Sequence, residues 1–277
     1  MSSDSAAAGN QAAAEPVPVP FDPSVAHQAR MYDYLLGGKD NFAADREAVE
    51  ATLKAWPEMG FAAKANRAFL GRVVRYLAGE AGIRQFLDLG TGIPTTGNTH
   101  EVAQAIAPRT RVAYVDYDPV VLAHARALLA SHRAGATAYI DADLRDTGTV
   151  LAKAADVLDF SQPVAITLLT TLHAIPDADD PQAIIAAYLA EAAPGSYLAI
   201  SHSGAEFFAQ EAREAFGCIG DRIRQGFNVR SRDQLARFLA GTELVEPGLV
   251  PVEEWRPDAS PGTGGKSSLW GAVGRTR

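Results

Sequence analysis

One stretch constrains this chain more than any other: Gln85-Phe86-Leu87-Asp88-Leu89-Gly90-Thr91-Gly92. A short apolar run carries an acid near its end and then breaks into Gly-Thr-Gly. A second run, Arg111-Val112-Ala113-Tyr114-Val115-Asp116, also ends in an acid. This is the layout of a nucleoside-binding βαβ unit. The first strand delivers a tight glycine turn to a ligand, and the second ends in a carboxylate that can accept hydrogen bonds from ribose hydroxyls. Asp116 follows Gly90 by 26 positions, near the roughly 20 that this geometry expects.

The turn discriminates between ligands. A dinucleotide needs a third glycine, because its pyrophosphate sits on a helix N-terminus. Thr95 occupies that position, after Pro94. The loop Ile93–Asn98 is long and suits a bulkier ligand without a pyrophosphate. S-adenosylmethionine fits: it needs glycine for close backbone approach and an acid for the ribose. Asp88 is awkward beside a pyrophosphate and easier to place near a sulfonium or ammonium group.

Composition narrows the classes further. The 277 residues are 47% hydrophobic, enough for one large domain with additions. A formal net charge of −8 argues against general nucleic-acid binding. The single cysteine, Cys218, allows neither an internal disulfide nor a cysteine zinc cluster. No apolar run approaches the roughly 20 residues that span a bilayer. The first twenty residues lack a signal-peptide pattern and read as a disordered tail. A reducing cytoplasm is the simplest setting. The sequence carries no signal of oligomeric state.

Three segments follow from the patterning: the tail (1–20), a helical cap (21–80) and a ligand-binding α/β domain (81–277). Asp22-Pro23 reads as the start of a first helix ending at Gly37-Gly38. A second helix is expected over Ala43–Ala55. A third runs from Met59 to Leu77 with Phe61, Ala65, Ala68, Phe69, Val73 and Leu77 on one face. Strands are expected at 85–89, 111–116, 136–140, 163–170 and 196–202. Helices lie near 98–107, 119–131, 147–158 and 181–193. That alternation predicts a doubly wound, mostly parallel sheet. A capping box at Ser231–Gln234 opens a helix to Leu239. Strands at 243–246, 249–255 and 268–274 follow, the last pair forming an antiparallel terminal hairpin. Gly262–Ser267 imitates a phosphate loop, but Ser260 stands where its first glycine belongs. A hairpin loop is the better reading.

The core over roughly 85–275 resembles the class I S-adenosylmethionine-dependent methyltransferases. The resemblance is carried by Phe86–Gly92, Val115-Asp116 with Pro119, Asp141-Ala142-Asp143-Leu144, Leu172-His173-Ala174-Ile175-Pro176-Asp177 and Pro194-Gly195-Ser196-Tyr197-Leu198. These five motifs stand in the family's order. Phe21–Ala26, Tyr32–Phe42 and Gly90–Thr95 also resemble one bacterial family of S-adenosylmethionine methyltransferases. The resemblance implies a Rossmann-like fold, that cofactor and a methyl transfer. It names no acceptor.

The expected cofactor contacts are Asp88, Gly90, Thr91, Gly92, Asp116, Tyr117, Asp143 and Leu144, joined by Tyr32, Lys39 and Asn41 from the cap. Asp116 would hold the ribose, with Asp118 before Pro119 filling the role of helix cap. Asp88 is either a cofactor contact or a structural acid capping local amides. Asp143 would meet the adenine; Asp141 is its rival, facing oppositely. Tyr32 and Tyr34 cannot share a helix face, so one belongs to the core and the other to the site. Gly37 to Phe42 reads either as a glycine-hinged lid or as a plain connector. If the acceptor arrives protonated, Tyr34 and His173 are the candidate bases. No metal is expected. The leading reading is a methyltransferase acting on a small molecule. A non-catalytic cofactor sensor or partner-binding protein is the alternative, and the missing third glycine disfavours an NAD-dependent oxidoreductase.

Overall fold

The computed structural model describes residues 22–128, 132–220, 226–258 and 265–277. The expected tail, the end of the helix near 119–131 and the first half of the Gly262–Ser267 loop lie outside these residues.

Three helices precede the sheet: α1 (Gln28–Leu35), α2 (Ala43–Ala55) and α3 (Met59–Arg75), the last running on into a π-helical turn at Tyr76–Glu80. Then β1 (Gln85–Leu89), α4 (Thr99–Ile106), β2 (Arg111–Asp116), α5 (Pro119–Leu128), β3 (Ala136–Asp141), α6 (Thr147–Ala154), β4 (Ala165–Leu169), α7 (Pro181–Glu191) and β5 (Tyr197–Ser203) alternate. The chain ends with α8 (Gln210–Gly220), α9 (Arg232–Phe238), β6 (Thr242–Leu244), β7 (Val250–Pro251) and β8 (Leu269–Thr276). The sheet order is β3-β2-β1-β4-β5-β8-β6, with β7 also paired to β8. β1 to β5 are mutually parallel, and β8 is antiparallel to its neighbours. This is the doubly wound sheet that the patterning predicts. The order reverses between β1 and β4, and ligands of such sheets bind at that switch point.

The pleat sorts side chains onto two faces. Leu87 and Leu89 join one core cluster, while Phe86 joins the other with Phe69, Val73 and Leu77 of α3. Asp88 therefore shares the face of Phe86, toward α3 and α4. Arg72, buried on α3, donates to Trp255 O (2.8 Å) and Val252 O (2.6 Å), pinning the helix to the chain after β7. Ala26, Met31 and Val49 form a small separate cluster between α1 and α2.

Four details differ from the sequence reading. The first helix begins at Gln28 rather than at Asp22-Pro23. The Asp22 carboxylate accepts from Ser24 N (2.8 Å) and Ser24 Oγ in a tight turn. His27 N is held by the buried Asp45 carboxylate at 2.9 Å, so a tertiary partner sets the start. On α3, Ala68 is exposed, while Ala62, Ala63, Asn66 and Leu70 are buried, because the helix meets a cavity as well as the sheet. The expected strand at 249–255 shrinks to Val250–Pro251, followed by a 3-10 turn at Val252–Glu254. Lastly, β6 as well as β7 lies against β8.

Gly37-Gly38 closes α1 in a Schellman pattern. Gly38 N donates to Asp33 O (2.9 Å) and Gly37 N to Tyr34 O (3.0 Å), with Gly37 at φ +82°. Gly38 has a second reason. A Cβ there would sit 1.9 Å from Asp33 Oδ1. The buried Asp33 carboxylate accepts from Asp40 N (2.9 Å) and Asn41 Nδ2 (2.8 Å). Arg46 Nη1 binds Asn41 O and Oδ1, each at 3.0 Å. Asp40 and Asn41 thus have a structural purpose, bracing the connector.

Candidate functional site

A cavity of about 350 Å³ opens at the carboxyl ends of β1, β2 and β4 and is roofed by α1 and α3. The Gly90-Thr91-Gly92 turn forms its floor. Gly90 N and Thr91 N donate to Val115 O (2.8 and 3.2 Å). Gly90 and Gly92 hold φ of +76° and +68°, and a Cβ on Gly90 would lie 2.3 Å from Thr171 Cγ2. Only glycine meets both demands at position 90.

Asp116 closes this turn from β2. Its Oδ2 accepts from Gly92 N and its Oδ1 from Asp118 N, both at 2.9 Å. A carboxylate has about four acceptor positions, so two are left for a ligand. Burial pushes its pKa up; the two amides and His27 oppose this. Asp118 caps α5 through Val120 N (2.7 Å) and meets His27 Nδ1 at 2.7 Å.

Asp88 lines the cavity while tying three elements together. It accepts from Thr99 Oγ1 (2.7 Å) on α4 and Thr167 Oγ1 (2.8 Å) on β4. Burial raises its pKa against those two hydroxyls and the nearby Arg67. Asp143 and Leu144 line the far end beside Tyr117. Arg145 grips Asp143 through Nε (3.0 Å) and Nη2 (2.6 Å) and reaches Asp179 at 2.7 Å. Burial works against ionisation of Asp143, but the bonds from Arg145 prevail and hold its pKa below the usual range.

The two tyrosines separate as their spacing demands. Tyr32 lines the cavity, its hydroxyl donating to Ala63 O (2.9 Å) and accepting from Asn66 Nδ2 (3.0 Å). Tyr34 lies on the other face of α1, where its hydroxyl donates to Glu50 Oε1 at 3.1 Å. The structure moves Tyr34, Lys39 and Asn41 out of the cavity: Lys39 is exposed, and Asn41 braces the connector. Gly90, Thr91, Gly92, Asp88, Asp116, Tyr117, Asp143, Leu144, Tyr32 and His173 all line the one cavity.

Spacing gave no access to several further lining groups. Asn66 links α3 to the sheet, donating to Thr170 Oγ1 (3.2 Å) and accepting from Ser201 Oγ (2.6 Å). Thr170, at φ +52°, is a β-branched residue in the left-handed region, a strain of the kind that clusters at functional sites. Ser201 O and Oγ, each 3.0 Å from Thr170 N, help to impose it. Arg67 Nη2 reaches Thr96 O (3.2 Å) and Asn98 Oδ1 (3.3 Å), and its buried Nε has no hydrogen-bond partner. The one legible hint was an Asn-Arg pair interrupting an apolar helix face.

The lining also carries apolar side chains, among them Met31, Leu35, Trp56, Met59, Leu70, Phe227 and Leu269. His173 joins them, its ring 4.8 Å from Phe227 and 5.9 Å from His202. Burial, with His202 and Arg230 adding to it, pushes the His173 pKa well below its ordinary value. The ring is neutral at neutral pH and a weak base. Behind it, buried Arg230 donates to Leu172 O (2.8 Å), Ile175 O (2.6 Å) and Asp177 Oδ1 (2.7 Å), and its Nη1 lies 3.0 Å from His202 Nε2. Arg230 thereby fixes the 3-10 segment that carries His173. His202, pushed down to about 3 by burial, stays neutral beside it.

A mostly parallel sheet with a glycine turn and a strand-end carboxylate at its switch point has the Rossmann-like architecture of methyltransferases. Residues 14–277 match the model of the S-adenosyl methyltransferase family. The chain belongs to that family, and S-adenosylmethionine is its cofactor. It is 42% identical to a DUF574 family protein from Streptomyces avermitilis, covering 92% of this chain and 99% of that one with a TM-score of 0.87. A candidate methyltransferase from Thermobifida fusca is 40% identical over 92% of this chain and 96% of its own, with a TM-score of 0.84. No curated protein matches. The residues present fit the cofactor: a Cβ-free turn and an acid with spare acceptor capacity. Among the described residues, no helix is long and apolar enough to cross a membrane.

Proposed function

We propose that this methyltransferase acts on a small-molecule acceptor held in the same cavity as the cofactor. The observation that carries the reading is the continuity of one roofed space. Its one lining includes the Gly90–Gly92 turn and Asp116 together with Trp56, Met59 and Phe227. A pure cofactor sensor has no use for these further apolar walls.

When bound, S-adenosylmethionine supplies an electrophilic methyl group on a sulfonium. The chain's own residues position and dehydrate. Asp116 uses its spare acceptor positions for ribose hydroxyls. Tyr117, Asp143 and Leu144 flank the base. Arg67 is the cation for the amino-acid carboxylate, and Asp88 favours the ammonium. Met31, Leu35 and Met59 keep water from the acceptor, so that alignment supplies most of the rate. Calorimetric titration with S-adenosylmethionine, S-adenosylhomocysteine and NAD tests the reading. The first two bind and NAD binds poorly; tight NAD binding with no heat from the other two overturns it.

A further inference from the structure

A second cavity, of about 490 Å³, opens at the other end of the sheet and shares no lining residue with the first. It lies where β1, β2, β4 and β5 begin and where β8 ends, so the length of β1, roughly 17 Å at about 3.3 Å per residue, separates it from the glycine turn. Its volume falls in the range of small-molecule sites. Four arginines line it, Arg84, Arg109, Arg111 and Arg275, with Asp159 the one acid among its lining residues. The chain as a whole carries a net charge of −8, so this positive concentration runs against the composition.

Local structure keeps these guanidiniums without counter-charges. Arg84 precedes β1 and Arg111 opens β2, and Arg111 N donates to Arg84 O at 2.9 Å. Arg84 Nη1 is fixed by Ala78 O (2.7 Å) and Ile83 O (2.9 Å), and Arg111 Nη1 reaches Val157 O at 3.4 Å. The Arg109 and Arg275 guanidiniums make no hydrogen bond among the described residues, and none of the four arginines forms an ion pair there. The Asp159 carboxylate instead accepts from Ser161 N (3.0 Å) and Ser161 Oγ (2.6 Å). Gln85 holds that turn in place, bonding Asp159 N at 2.6 Å and Asp159 O at 2.8 Å. Glu243 stands opposite Arg275 in the β6–β8 register without pairing to it.

Like charges gathered in a cleft repel one another and raise the local concentration of counter-ions. The guanidinium fork matches phosphate oxygens two at a time. We propose that this groove binds a small molecule carrying several phosphate groups. Arg84, Arg109 and Arg111 grip the phosphates, and Arg275 extends the positive lining toward β5 and β8. A single phosphate engages fewer of these forks. A nucleic-acid strand would have to run on over an acidic surface, because outside the groove the chain is more negative than its net charge. Binding here is independent of the methyl acceptor.

Calorimetry on the full chain at constant ionic strength compares inorganic tripolyphosphate, inorganic phosphate, citrate and a short single-stranded oligonucleotide. Tripolyphosphate should bind tightest, about tenfold or more above phosphate. Arg109→Gln combined with Arg111→Gln should weaken tripolyphosphate about tenfold or more. Lys54→Gln combined with Lys64→Gln removes the same charge from exposed positions on α2 and α3 and should change it less than about twofold, because distant surface charges are screened. Arg109→Gln alone, which breaks no hydrogen bond, serves if circular dichroism shows the double variant misfolded. No heat from tripolyphosphate, equal losses in the arginine and lysine variants, or tighter binding of citrate or the oligonucleotide overturns the proposal. Displacement of tripolyphosphate by S-adenosylhomocysteine also overturns it, by placing the anion in the first cavity. Failure of S-adenosylhomocysteine to bind at all would remove the cofactor reading and leave this one standing.

Discussion

Replacing Asp116 by alanine separates binding from folding. Gly92 N and Asp118 N occupy two of the acceptor positions on its carboxylate, and the proposed ribose hydroxyls take the other two. Hydrogen bonds to a charged group are worth about 1.5–3 kcal/mol, so Asp116→Ala should raise the dissociation constant for S-adenosylhomocysteine roughly 10- to 150-fold. Stability should move far less. The folded pKa of Asp116 lies above its ordinary 3.8, so the folded protein holds this proton more tightly than the unfolded chain. The group therefore costs stability as pH rises from 3.8 through the folded value. Alanine relieves it while stripping two amides of their acceptor, and the two changes oppose each other. Titration calorimetry with thermal unfolding reads both. A control sharpens the case: 2′,3′-dideoxyadenosine lacks both hydroxyls and should bind wild type and variant alike. An unchanged dissociation constant in a folded variant refutes the role of Asp116. A loss of affinity equal for the dideoxy compound places the damage in the glycine turn instead.

Asp88→Asn should raise the unfolding temperature at pH 7.5 while weakening the cofactor. The raised folded pKa of Asp88 makes its ionised form costly above the ordinary value, so the gain should vanish near pH 4; a uniform shift at both pH values would contradict this. Arg67→Gln should weaken S-adenosylhomocysteine about tenfold, the scale of a charge-assisted pair, and leave adenosine unaffected. Equal losses for both would remove Arg67 from the carboxylate. Hydrogen exchange on cofactor binding should slow in residues 27–35 more than in 37–42, because α1 roofs the cavity whereas the connector is already braced by Asp33. Greater protection of the connector would restore the lid reading.

The alternation of short apolar runs with amphipathic segments was enough to place five parallel strands, because side-chain period and turn chemistry are local properties. The glycine turn and the acid at the end of β2 were legible for the same reason: a left-handed backbone and a strand-end carboxylate are written in adjacent residues. Tertiary structure decided the rest. Tyr32 and Tyr34 were known to face apart, but only the packing of α1 on α3 turned Tyr32 toward the cavity and left Tyr34 with Glu50. Asp40 and Asn41 looked functional because their partner, the Asp33 carboxylate, lies seven and eight residues back on a face that spacing does not reveal. Asn66 and Arg67 on α3, Trp56 before it, and Phe227 and Arg230 after α8 come from three separate segments that meet only in the folded chain. A local pattern states what each residue can do. Which residues meet at the cavity depends on contacts between residues far apart in the chain, such as Arg230 with Leu172 and Asn66 with Ser201, and these exist only in the folded chain.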